Sequence, residues 1–151
     1  MSRLRLLTLA LVAAAALFVV ACDGDTAERN DYVDEVNEVQ NSLQSDISNL
    51  SQTPQSPEQL VGFYEDTVAS LRSAVDSLES IEPPDEVAEL HDQLITEVQD
   101  LADVITGAVQ EIEQGGAAAL PGAVSQLATE GTKIQTEFSS TIDEINSTLQ
   151  D

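Results

Sequence analysis

The sequence predicts an all-α protein, an antiparallel up-down-up-down four-helix bundle behind a cleaved export signal. Three observations predict it. Apolar residues recur at intervals of three and four along most of the chain, which puts them on one face of successive helices. No stretch alternates with period two, so no strand is expected. Proline or glycine clusters break the pattern at Pro54 to Pro57, at Pro83-Pro84 and at Gly115-Gly116, and breaks this short favour antiparallel neighbours. The sustained heptads also allow a longer helical hairpin that oligomerises as a coiled coil.

The chain opens with Arg3 and Arg5, followed by a run from Leu6 to Ala21 that is apolar apart from Thr8. That is the layout of a secretory signal peptide, and it is short of the roughly 20 apolar residues a membrane span needs. Residues 1–21 are therefore read as signal peptide, 22–30 as a polar tether and 31–151 as the acidic helical bundle. The run ends in Val19-Val20-Ala21-Cys22, which resembles the lipobox of bacterial lipoproteins, with Val19 where leucine is most frequent. The resemblance implies cleavage between Ala21 and Cys22, a diacylglyceryl group on the Cys22 thiol, and attachment to membrane lipid on the outer face of the cell membrane. Two acyl chains suffice for stable anchoring where one does not. Cys22 is the only cysteine, so it has no intramolecular disulfide partner.

A first helix is expected from about Asp31 to Leu50, with Tyr32, Val36, Val39, Leu43, Ile47 and Leu50 on its apolar face. Ser56-Pro57-Glu58-Gln59 then reads as a helix start. Ser56 can cap free backbone N–H groups, Pro57 suits the first helical position and Gln59 can close a capping box. The second helix carries Leu60, Tyr64, Val68, Leu71, Val75 and Leu78 on its seam, and Pro83-Pro84 ends it. Asp85 and Glu86 fall in the first turn of a long third helix, where negative charge suits the dipole. Its seam runs Val87, Leu90, Leu94, Val98, Leu101, Ile105, Ala108, Ile112, and Gly115-Gly116 stops it. The fourth helix becomes regular after Pro121, with Leu120, Val124, Leu127, Gly131, Ile134, Phe138, Ile142, Ile145 and Leu149 in register.

The chain has 28 acidic residues against five basic ones, a formal net charge of −23. Beyond the signal only Arg29, Arg72 and Lys133 are basic. Nucleic acid is excluded as a partner, because phosphate binding needs a basic footprint. A basic protein surface is the partner such a charge attracts.

The catalytic inventory is thin. His91 is the only histidine and Met1 the only methionine. Residue 88, three before His91, is alanine, so the Glu-x-x-His motif of di-iron bundles is absent, as is Cys-x-x-Cys-His. No cofactor is expected, and no enzyme. His91 lies four residues after Val87 and three before Leu94, at the edge of the buried stripe and within reach of nearby acids. Asp85, Glu86, Glu89 and Asp92 crowd one stretch, where carboxylates three and four apart repel one another and could hold a cation weakly and diffusely. Phe63, Tyr64 and Gly131 mark a candidate apolar pocket, since a glycine on the seam leaves space.

The stretch Pro83-Pro84-Asp85-Glu86-Val87-Ala88-Glu89-Leu90-His91 resembles segments of small helical lipoproteins from actinobacteria and their relatives, which implies an extracytoplasmic bundle. The expectation is a lipid-anchored, non-catalytic binding or accessory module for an envelope protein or complex. The alternative is capture of a small ligand or divalent cation in the envelope.

Overall fold

The computed structural model describes residues 26–49, Pro54 and 56–150. Four helices make up most of that span: α1 Thr26–Asn49, α2 Pro57–Glu79, α3 Ala88–Gly115 and α4 Leu120–Gln150. Short 3-10 turns at Asp85–Val87 and Gly116–Ala118 lead into α3 and α4. No strand occurs among the described residues, and the chain is an all-α helical bundle.

The helix boundaries follow local chemistry. The Ser56 hydroxyl accepts from the Gln59 backbone N–H at 3.3 Å, and Pro57 is the first residue of α2. Hydrogen bonds from its own backbone N–H and from the Ser56 hydroxyl hold the Glu58 carboxyl below the usual range. At the far end, α2 closes at Glu79, ahead of Pro83-Pro84, because the Ser80 and Ile81 N–H groups turn back onto Ser77 and Leu78 carbonyls. Ile81 is thereby buried. Asp85 and Glu86 sit in the 3-10 turn that precedes α3 rather than in its α-helical first turn. Gly116 ends α3 at φ 58° and ψ −150°, a conformation that side chains with a Cβ strongly resist.

α1 starts at Thr26, ahead of Asp31, so residues 26–30 are helical where a tether is expected. The reason is polar. Arg29 Nε donates to Glu86 Oε1 at 2.8 Å, and Arg29 Nη1 donates to the Leu149 carbonyl at 2.9 Å. An apolar stripe does not report such an anchor.

α3 packs against both α2 and α4, while α1 lies mainly on α2. The larger core cluster takes Tyr32, Val33 and Val36 from α1, Leu71 and Leu78 from α2, Leu94 and Ile105 from α3, and Ile145 and Leu149 from α4. A smaller cluster joins Ala108, Ile112 and Ala123, with Leu60, Tyr64 and Leu127 against it. Fully burying one such aliphatic side chain contributes about 1.5–3 kcal/mol. The burial along α1 is uneven. Tyr32, Val33 and Val36 are buried, whereas Val39, Leu43 and Ile47 are only half-buried. The second half of α1 therefore stands partly off the core.

Candidate functional site

Where α1 stands off, a cavity of about 80 Å³ opens between its second half and the middles of α3 and α4, with Leu71 of α2 also lining it. Leu43, Ile47, Leu101 and Phe138 give it an apolar wall, and Gly131 widens it. A Cβ built on Gly131 would meet nothing within 4 Å. Gln40, Gln44, Gln135 and Glu97 are among the polar residues of the lining.

Glu97 is the unusual member. Among the described acidic residues it alone is buried, at 6% exposure. Its Oε1 accepts from the Thr141 hydroxyl at 2.7 Å and from Gln93 Nε2 at 3.1 Å, and Gln93 Nε2 also lies 3.0 Å from Thr141 Oγ1. Its Oε2 is buried without a hydrogen-bond partner. Buried polar atoms are nearly always paired, because leaving one unpaired costs about 1–3 kcal/mol. Half of this carboxyl is held in place by two neighbours and the other half is unsatisfied.

A second buried polar group is fully used. His91 is 2% exposed, so it is a core residue and not the boundary residue its spacing suggests. Its partners are not acids. Nε2 lies 3.0 Å from the Leu78 carbonyl, and since a carbonyl only accepts, Nε2 carries a hydrogen. The Tyr32 hydroxyl lies 3.1 Å from Nδ1 and donates to it in the neutral ring, with the two rings edge-on at 5.6 Å. Burial pushes the Tyr32 phenol up to about 12, which keeps it a donor. This chain of bonds ties the start of α1 and of α3 to the last turn of α2.

The residues singled out from sequence separate. Gly131 lines the cavity. Phe63 and Tyr64 do not; their rings lie 5.9 Å apart, and Tyr64 packs against the Ala108–Ile112–Ala123 cluster. Asp85, Glu86, Glu89 and Asp92 are all exposed, and Glu86 is paired with Arg29. Among the described residues no three His, Cys, Asp or Glu side chains come together as metal ligands. Ala21 and Cys22 lie outside the described residues. No described helix is long and apolar enough to cross a membrane.

Glu97, Thr141 and Gln93 are the residues that the apolar pattern passes over. A faint signal exists for the first. Glu97 falls three residues after Leu94 and four before Leu101, on the seam itself, where a carboxyl is out of place.

Comparison with known proteins gives one match. The family described as "Family of unknown function (DUF6376)" matches residues 26–151. No curated protein matches, and no solved structure matches.

Proposed function

We propose that this chain, which belongs to the DUF6376 family, is a lipid-anchored extracytoplasmic binding module. It has no catalytic chemistry of its own and docks an envelope protein through a basic surface on that partner. The observation that carries the reading is the distribution of charge. Every described acidic residue except Glu97 and the half-buried Glu130 is exposed, and among the described residues only Glu86 and Glu137 have a basic partner, Arg29 and Lys133. A surface so one-signed steers cationic partners over distances set by the Debye length. The engagement of both His91 ring nitrogens in packing also supports a non-catalytic role.

An up-down-up-down arrangement gives this surface a direction. It is supported at one end by Arg29, which ties the start of α1 to the end of α4 and to the turn before α3. At the other end, the smaller core cluster gathers the start of α2, the end of α3 and the start of α4. With the lipid on Cys22, the Arg29 end faces the membrane and the Pro54–Pro57 and Gly115-Gly116 turns point outward.

The test is carboxylate-directed cross-linking in intact cells, followed by mass spectrometry. A reproducible partner linked near the outward turns, with binding that weakens as salt rises, is the expected result. Salt-independent binding contradicts the charge argument. Cys22→Ala is expected to release the protein from membranes, and continued attachment of that variant overturns the anchor.

A second reading, capture of a small ligand, is favoured by the cavity with its apolar wall.

A further inference from the structure

We infer that the cavity between α1, α3 and α4 takes a short, uncharged aliphatic chain, and that its occupant closes the second half of α1 onto the core. The inference rests on the capture reading and adds the chemical class of the ligand.

The first support is the wall. Leu43 and Ile47 of α1, Leu101 of α3 and Phe138 of α4 all line the cavity, and each is only half-buried. Covering that apolar surface favours binding in proportion to the area removed from water. Gly131 is buried, yet a Cβ built on it meets nothing within 4 Å, so the space reaches the α4 backbone. About 80 Å³ is roughly half the ~150 Å³ of an engineered apolar cavity that admits benzene. It suits a chain of a few carbons and not a ring.

The second support is how little charge α1 and α4 carry beside this space, on a chain of formal charge −23. No residue from Val39 to Ser45 is charged. Asn37 and Asn41 precede the lining residues Gln40 and Gln44 by three positions, and so share their helical face. Thr132 and Thr136 stand in the same relation to Gln135 and Ser139 on α4. Lys133 and Glu137 pair with each other at 3.8 Å and lie two residues either side of Gln135, on the opposite side of the helix. Glu97 also lines the space, but its Oε1 already accepts from Thr141 and Gln93, and its Oε2 is fully buried. A charged ligand would leave water here without a counter-charge in reach, which is costly. An uncharged chain has no such cost.

The third support is the way α1 is held. Its start is fixed by Arg29 on Glu86 and on the Leu149 carbonyl, and by Tyr32 on His91. Its second half faces Ser70, Ser73 and Ser77 of α2 across a further gap of about 20 Å³. With a gap on either flank, Val39, Leu43 and Ile47 stay half-buried. An occupant of the larger gap adds contact between this half of α1 and the middles of α3 and α4. The same chemistry is offered by the tail of a small uncharged amphiphile and by an aliphatic side chain of a docked protein.

The test is an NMR titration of the full chain with 1-propanol, 1-butanol and 1-pentanol. Sodium butyrate and n-butylammonium chloride, at matched ionic strength, are the charged counterparts. Saturable shifts centred on Leu43, Ile47, Leu101 and Phe138 are expected for the alkanols, and weaker binding for both ions. Affinity should rise about fourfold per added methylene until the cavity is full. Gly131→Leu, whose side chain enters the open space, should abolish the saturable shifts, and Gly131→Ala should weaken binding. Circular dichroism checks that both variants remain helical, and Gly131→Ala carries the test should Gly131→Leu lose its fold. Amides from Val39 to Asn49 should exchange hydrogen more slowly at saturation. Binding that leaves their exchange unchanged overturns the closure of α1. Alkanol shifts that are the same in wild type and in both folded variants are a general solvent effect, and overturn the inference. Tighter binding of butyrate or butylammonium, abolished by Gly131→Leu, overturns the uncharged assignment and leaves ligand capture standing. No saturable binding of any of the five overturns both. Given alkanol binding at the site, N-acetylleucinamide separates the sources. Tighter binding than 1-butanol assigns the site to a partner's side chain, and weaker binding assigns it to the tail of a small molecule.

Discussion

Tyr32 sits at 1% exposure with its hydroxyl on His91 Nδ1, and burial raises its ionisation from the ordinary value near 10 to about 12. Between those values the unfolded chain has released a phenol proton that the folded chain still holds. Stability is therefore complete below pH 10 and is lost as the pH rises toward and through 12. Tyr64, the other tyrosine, is raised by burial in the same direction. Tyr32→Phe is expected to flatten the alkaline loss to the part owed to Tyr64. At neutral pH it should cost about 1–3 kcal/mol, because His91 Nδ1 is left buried without a donor. Thermal melts of both proteins across neutral to strongly alkaline pH check this, and parallel curves would contradict it. His91 shows what spacing can and cannot convey at this scale. Its register marks it as near the stripe, but its partners come from α1 and α2, and no local pattern within α3 names a residue across a tertiary contact. Glu97 is the same case, since Thr141 reaches it from α4.

The four helices were legible because each writes its apolar face into the chain at the helical period, and because Ser56-Pro57 and Gly115-Gly116 are local stop and start chemistry. The start of α1 was not, since Arg29 holds it by polar contacts with Glu86 and Leu149. Nor was the cavity. The stripe of α1 continues through Val39, Leu43 and Ile47 as though fully packed, yet those residues are half-buried. The neighbouring face of α2 offers Ser70, Ser73 and Ser77, side chains too small to fill the gap beside Val39 and Leu43. Stability at this scale should be uneven in consequence. Amides from Val39 to Asn49 are expected to exchange hydrogen well before those in the middle of α3, which packs on both sides. Equal protection in the two segments would show that α1 is held along its whole length. The glycines divide in the same way. Gly107 is in the exposed interior of α3 with open space around its Cβ position, so Gly107→Ala should stabilise by about 0.5–1 kcal/mol. Gly116→Ala should destabilise by about 1–3 kcal/mol, because its positive φ and extended ψ suit glycine alone. Paired denaturant melts distinguish the signs.

Over the whole molecule the dominant electrostatic fact is self-repulsion. A formal charge of −23 is spread over an exposed surface on which, among the described residues, only two ion pairs form. Compactness brings those charges together, so folding works against their field, and screening should relieve it. Raising sodium chloride shortens the Debye length from about 30 Å at 0.01 M to about 8 Å at physiological strength. The melting temperature should climb over that range and then level as neighbouring carboxylates become screened from one another. The exposed Asp85, Glu86, Glu89 and Asp92 are crowded enough to attract calcium, but no described trio of ligands is gathered to wrap an ion. Calcium at matched ionic strength should therefore add little beyond sodium. A large calcium-specific increment, saturating at one ion per chain, would instead reveal a site built from these carboxylates. The same salt series has an opposite consequence for a basic partner, whose attraction fades as the field is screened. Fold stability and partner affinity should thus move in opposite directions with salt. An affinity that rises alongside the melting temperature would place the interface on apolar surface and not on the acids.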